Sequence, residues 1–254
     1  MQVKLLSLCA LALLTATGCT SHYALQTVTR QQILIDNRYD ADPNPEAAAF
    51  MVPYKQKVDS IMGPVVGETV RPLTSYRPES PLSNLLADIM VWAGKFYNER
   101  PDIGVYNMGG IRASLPAGKI TYGDIVDIAP FENKICFVTL SGESLTHLFQ
   151  NMALTRGEGV SRGVRLVITH DGRLVSASLN GKPIDPNAKY RIATIDYLAQ
   201  GNDKMTAFKE GTDLVSPKEE SNNSRYIIRD YFVEKQKAGE KIDSQKEGRI
   251  QFDN

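Results

Sequence analysis

The chain has 254 residues, and 29 Lys plus Arg balance 29 Asp plus Glu, so its formal net charge is zero. That excludes the basic excess with which duplex nucleic-acid binders hold phosphates, and a chain 42% hydrophobic and 23% charged is not a disordered one. Three cysteines and three histidines exclude a disulfide scaffold and a four-cysteine zinc site, and leave little from which to build a multi-histidine metal centre.

Lys4 precedes an apolar run over residues 5–14. A run of about ten residues is too short to span a bilayer, which takes about 20, and suits the apolar part of a secretory signal. Thr15-Ala16-Thr17-Gly18 and then Cys19 follow. This pattern resembles a bacterial lipobox, with Ala16 where leucine is preferred; the alternative is an ordinary cleaved signal. The expectation is that residues 1–18 are removed and that Cys19 is acylated. The chain would then be held by lipid in a bacterial cell envelope, on the periplasmic or outer-membrane side. Two or more acyl chains anchor durably, at about 0.8 kcal/mol per buried CH2. Cys9 leaves with the signal, and Cys136, inside Ile135-Cys136-Phe137-Val138, reads as a small core residue.

Residues 19–42 read as a polar N-terminal tether with one strand-like stretch, Gln32-Ile33-Leu34-Ile35, and residues 43–254 as one domain. A helix is expected over 44–62, capped by Asn44, with Pro45 in its first turn and a kink or break at Pro53. The clearest helix is 82–97, where Leu82, Leu85, Leu86, Ile89, Ala93 and Phe96 recur at helical spacing. Residues 102–107 and 134–140 read as short strands. Ser141 then caps a helix whose apolar face carries Leu145, Leu148, Phe149 and Met152. From Val164 the period becomes two: Val164, Leu166 and Ile168 alternate with Arg165, Val167 and Thr169. Asp171-Gly172 and Asn180-Gly181 are hairpin turns on either side of a return strand at 174–179. Residues 190–197 read as a strand, 224–237 as a closing helix and 249–252 as a last short strand. Helices interleaved with hairpins and isolated strands predict a mixed-sheet α+β fold rather than a doubly wound parallel one.

Three segments carry chemistry. Asn107-Met108-Gly109-Gly110-Ile111-Arg112 follows a strand, and its glycines let the backbone turn sharply against a ligand. Arg112 could fork onto a phosphate and Asn107 could bond a sugar or phosphate oxygen; a plain turn is the alternative. Ala129-Pro130-Phe131-Glu132-Asn133 offers an aromatic face to a planar ligand, or Phe131 is simply core. The run from Ala193 to Asp203 has an aromatic, Tyr197, a glycine turn, and a carboxylate six residues on. Asp203 could accept the vicinal hydroxyls of a ribose, or be a solvated loop acid.

In order and spacing these segments resemble the C-terminal domain of the 5′-nucleotidase / UDP-sugar hydrolase family. The resemblance starts at Glu79-Ser80-Pro81-Leu82-Ser83-Asn84-Leu85-Leu86-Ala87-Asp88 and ends at Gly201-Asn202-Asp203, with further matches at residues 107–112, 118–124, 130–133 and 140–142. It covers roughly residues 65–215. It implies a single mixed-sheet α+β domain in which Phe131 and Tyr197 sandwich a base, at about 1–3 kcal/mol per stacked base. It further implies phosphate on Arg112 and Arg77, ribose on Asp203, the base on Asn133, and Asn107 opening the motif with Gly109 and Gly110. Three positions depart from the family: Asn202 for glycine, Ser83 for glycine, and Tyr197 for the commoner phenylalanine.

Full members of the family also carry a metallophosphoesterase domain that binds two metals. The histidines here, His22, His147 and His170, lie in no segment of that kind. The expectation is therefore no cofactor, no metal ligand and no catalytic residue in this chain, with divalent metals on a separately encoded metallophosphoesterase subunit. The chain would be the nucleotide- or nucleoside-binding subunit of a 5′-nucleotidase-type hydrolase in nucleotide catabolism. The alternative is a non-catalytic surface lipoprotein that binds nucleosides or nucleotides. No nucleic-acid polymer is expected as a partner, and whether the chain is itself an enzyme stays open at this point.

Overall fold

A computed structural model describes residues 23–41 and 44–253. The signal, the lipobox cysteine Cys19 and His22 lie outside the described residues. The chain forms two compact units that divide after Phe50. In the first, residues 32–35 pair with no strand among the described residues, contrary to the strand reading. Ile33, Leu34 and Ile35 are exposed there. An apolar stretch becomes a strand only where a neighbour takes up its backbone N–H and C=O groups.

Helix α1 (Pro45–Met62) begins as expected: Asn44 Oδ1 accepts from Ala47 N at 3.0 Å. It runs on through Pro53 without a break. The helix buries no residue, so water is at hand for the carbonyl that proline leaves unbonded. Strand β1 (Val65–Thr69) follows. Helix α2 (Pro81–Ala93) starts at a capping box formed by Ser80 and Ser83, with Pro81 in its first turn. Leu82, Leu85, Leu86, Ile89 and Ala93 are buried. Phe96 falls in a tighter turn after the helix and is exposed. Strand β2 (Ile103–Tyr106) is buried at all four positions. Strand β3 (Gly118–Thr121) leads into α3 (Tyr122–Ile128), which Thr121 and Asp124 cap reciprocally. Strand β4 (Ile135–Ser141) leads into α4 (Gly142–Leu154), whose first turn Ser141 caps.

Strand β5 (Gly159–Val160) is followed by the hairpins of β6 (Val164–Ile168), β7 (Leu174–Leu179) and β8 (Lys182–Pro183). Asn180 and Gly181 both have positive φ, 51° and 78°, as the tight turn between β7 and β8 requires. Strand β9 (Lys189–Ile195) stops two residues short of the expected end. Asp196 and Tyr197 belong instead to a one-turn helix, α5 (Asp196–Ala199). Strand β10 (Thr212–Val215), helix α6 (Ser224–Lys237) and strand β11 (Ile250–Phe252) complete the unit.

Three sheets result. The central one has the order β10-β4-β9-β2-β5, the second β11-β6-β7-β8, and β1 pairs with β3. In the central sheet β2 and β9 run parallel, and β4 and β5 lie antiparallel to their neighbours. This is the expected mixed-sheet α+β architecture. Helix α2 packs on β2, β5 and β9, and α4 packs on β4 and β9. Helix α6 packs on β1, α2 and α3. Cys136 is fully buried, and burial pushes its thiol up to about 12, leaving it unreactive in the core.

Candidate functional site

The sheet delivers two strand ends to one place. Strand β2 exits at Asn107, which is buried, and a tight turn over Met108–Gly110 follows. Its parallel neighbour β9 exits at Ile195 into α5. Parallel neighbours end side by side, so the residues after both strands face one cleft.

Asp203 lies at the centre. Its Oδ2 accepts from Asn107 Nδ2 at 2.6 Å, and its Oδ1 accepts from the Tyr197 hydroxyl at 2.9 Å. It sits in a left-handed turn, with φ of 53° followed by 65° at Lys204. Asn202 accounts for its own place: its Nδ2 donates to the Tyr197 carbonyl at 2.8 Å. The hydrogen bond to Asp203, followed by the charge of that carboxylate, raises the pKa of the Tyr197 phenol, so the phenol stays protonated as the donor. Gly110 is required by close approach, since a Cβ there would stand 2.6 Å from Asn107 Oδ1. That Oδ1 is buried and has no hydrogen-bond partner.

Asp196 ties the two aromatic segments together. Its Oδ1 accepts from Tyr197 N at 2.8 Å and from Lys134 N at 3.1 Å, and its own N–H donates to the Lys134 carbonyl at 2.8 Å. The segment that ends at Lys134 carries Phe131 and Asn133. The outcome is a cleft of about 190 Å³ lined by Asn107, Gly109, Gly110, Phe131, Asn133, Tyr197 and Asp203. Phe131 and Tyr197 are 47% and 38% exposed.

The two arginines singled out in the sequence lie elsewhere. Arg77 and Arg112 line a neighbouring depression with Ser75, Tyr76, Met108 and Ser114. Arg112 is exposed and bonds only weakly to the Gly109 carbonyl, at 3.3 Å. Arg77 is engaged: it pairs with buried Glu158 and donates to the Thr155 carbonyl. Glu158 also accepts the Met108 N–H at 2.6 Å and so fixes the start of the glycine turn. Sequence reasoning missed Glu158. The register that sets Val160 opposite Val105 and Gly159 opposite Tyr106 brings Glu158 beside Asn107, and only the sheet supplies that register. Asp196 was read as part of a strand, and its link between Phe131 and Tyr197 was missed as well.

His147 bonds Glu210 at 2.9 Å, and His170 stacks on Phe252. Among the described residues no three His, Cys, Asp or Glu side chains stand close enough to share a metal ion.

A mixed-sheet α+β domain with an aromatic and carboxylate cleft at the ends of two parallel strands defines a class of small-ligand-binding domain. The family described as 5'-nucleotidase, C-terminal domain matches residues 58–210, and the chain belongs to it. Protein UshA of Yersinia enterocolitica is 29% identical over 174 residues, covering 63% of this chain and 30% of that protein. An apyrase of Aedes albopictus is 31% identical over 201 residues, covering 70% of this chain and 35% of the relative. The chain thus spans about a third of the length of these relatives. The crystal structure of a 5'-nucleotidase precursor from Thermus thermophilus superposes with a TM-score of 0.70 at 28% identity, covering 82% of this chain and 43% of that one.

Proposed function

We propose that the cleft binds a nucleoside or nucleotide. The base lies between Phe131 and Tyr197, Asn133 meets its edge, and the ribose hydroxyls donate to Asp203. The phosphate extends toward Arg112, whose guanidinium has no carboxylate partner among the described residues. Arg77, held by Glu158, shapes the same end. The observation that carries the proposal is Asp203, fixed between Asn107 and Tyr197 in one cleft with Phe131. A carboxylate held by two donors keeps further lone pairs for a sugar's hydroxyls.

The chain would serve as the binding subunit of a 5′-nucleotidase-type phosphohydrolase in nucleotide catabolism. A separately encoded metallophosphoesterase would supply two metal ions that clamp the attacking and leaving oxygens. This chain's contribution would be position, which alone lowers a barrier substantially. Export through residues 1–18 and acylation at Cys19 would place it on the cell envelope.

Titration calorimetry on the chain from Thr20 onward tests the binding. Adenosine and AMP are expected to bind, and Phe131→Ala is expected to weaken both by about 5- to 150-fold, the worth of one stacked base. Arg112→Ala is expected to weaken AMP and spare adenosine. A wild-type chain that binds neither ligand rules the proposal out. A chain that binds but stimulates no metallophosphoesterase leaves a binding protein without catalysis.

A further inference from the structure

Phe131 presents a difficulty that the cleft alone does not resolve. Phe131 is 47% exposed and is not among the residues packed on the core. Its position must come from the backbone that carries it. The Pro130 carbonyl just before it and the Asn133 carbonyl just after it are both held by the first turn of α6. Arg225 Nη2 donates to Pro130 O at 3.1 Å, and Ser224 N donates to Asn133 O at 2.8 Å. A backbone bridge between Lys134 and Asn223 continues the contact, and Lys134 Nζ reaches the Glu219 carbonyl at 3.1 Å. Arg225 also stands 3.7 Å from the Glu132 carboxylate.

Arg225 is the side chain of α6 that reaches this segment's backbone. Its Nε is buried with no hydrogen-bond partner. Its fork reaches Pro130, on the segment that brings Phe131 to the cleft. The family match ends at residue 210, so Arg225 lies beyond the matched region.

We propose that Arg225 is a positioning residue for the ligand site: it acts through Phe131, holding the 130–133 segment at the spacing from Tyr197 that admits a base. Asp196 fixes the other end of that segment. The aromatic pair is thus set from two sides, by α5 within the matched region and by α6 beyond it. The inference rests on the nucleoside-binding proposal above.

A double-mutant cycle, read by adenosine titration on the chain from Thr20 onward, tests it. Arg225→Met removes the fork and keeps an apolar stem. Binding is expected to weaken about threefold or more with Phe131 present, and by less than about 1.5-fold in the Phe131→Ala background, since residues that act as a unit are not additive. Equal losses in both backgrounds overturn the proposal. If the wild type binds no adenosine, the nucleoside proposal falls, and amide hydrogen exchange decides the role of Arg225. Faster exchange at residues 131–134 with unchanged exchange in α2 supports positioning. Unchanged exchange at 131–134, or a loss of protection throughout, overturns it. Should Arg225→Met fail to fold, Arg225→Lys is read in the same way.

Discussion

At Glu158 burial and pairing pull in opposite directions. Burial raises the pKa of its carboxyl, against the lowering effects of the Met108 N–H and the Arg77 guanidinium, and burial prevails. The folded state therefore holds this proton more tightly than the unfolded chain does. Between the ordinary glutamate value and the raised one, the folded state binds more protons, so stability falls as pH rises through that window. Below the unfolded value the contribution is fully present. Glu158→Gln cannot titrate and should lose that slope. The expected result is a urea midpoint for the wild type that declines with rising pH relative to the variant, across the window just above the ordinary glutamate range. A wild-type midpoint that instead rises with pH relative to the variant, across the ordinary glutamate range, would show that the ion pair, not burial, sets the proton affinity. At this scale Asn107, Phe131, Tyr197 and Asp203, singled out through the family resemblance, line one cleft. The sequence could not make Glu158 or Arg225 legible, because each contributes through a backbone group far away in sequence.

Among the elements, the seat of α2 on β2 is the tightest fit near the site. Gly104 in the middle of β2 faces the helix, and a methyl there would collide with the Ala87 carbonyl and stand 2.9 Å from Val91 Cγ2. Gly104→Ala is expected to destabilise the fold by about 1–3 kcal/mol, the usual cost of overpacking a filled core. Chemical denaturation measures it, and an unchanged midpoint would mean that α2 can shift away freely. Hairpins and capped helices were readable because their signals are local: Asn180-Gly181 demands its turn and Ser80 its helix start. Tyr197 was misread as strand because Ile195-Asp196-Tyr197 continues a period of two. The chain leaves the sheet there because pairing with β4 ends at Ile135 and Ile195, and Asp196 turns back to Lys134. Residues 32–35 have strand composition but no partner, and composition cannot provide one.

Across the larger unit, Arg249 joins parts that are far apart in sequence. It is 1% exposed and donates to the carbonyl of Val160 in β5 at 2.8 Å, to that of Asn84 in α2 at 3.3 Å and to Asp88 at 2.8 Å. It also pairs with Glu247. The last strand is thereby locked to the helix and the sheet edge that support the cleft. Arg249→Met removes one partner from a buried charge network and leaves acceptors unmet, which typically costs about 3–5 kcal/mol. The expected outcome is a large fall in the urea midpoint with the transition still cooperative; a loss below about 1 kcal/mol would mean the pair contributes no more than an exposed one. The sequence alone determined the α+β class and most element positions, because periodicity, caps and turn residues act over a few neighbours; the residues around the cleft came from the family resemblance. Only the tertiary structure decided that β2 and β9 end side by side, that Arg77 is spent on Glu158 while Arg112 is not, and that α6 holds the Phe131 segment. Those outcomes depend on which strands pair and which distant groups satisfy each buried donor and acceptor, and no local pattern encodes that choice.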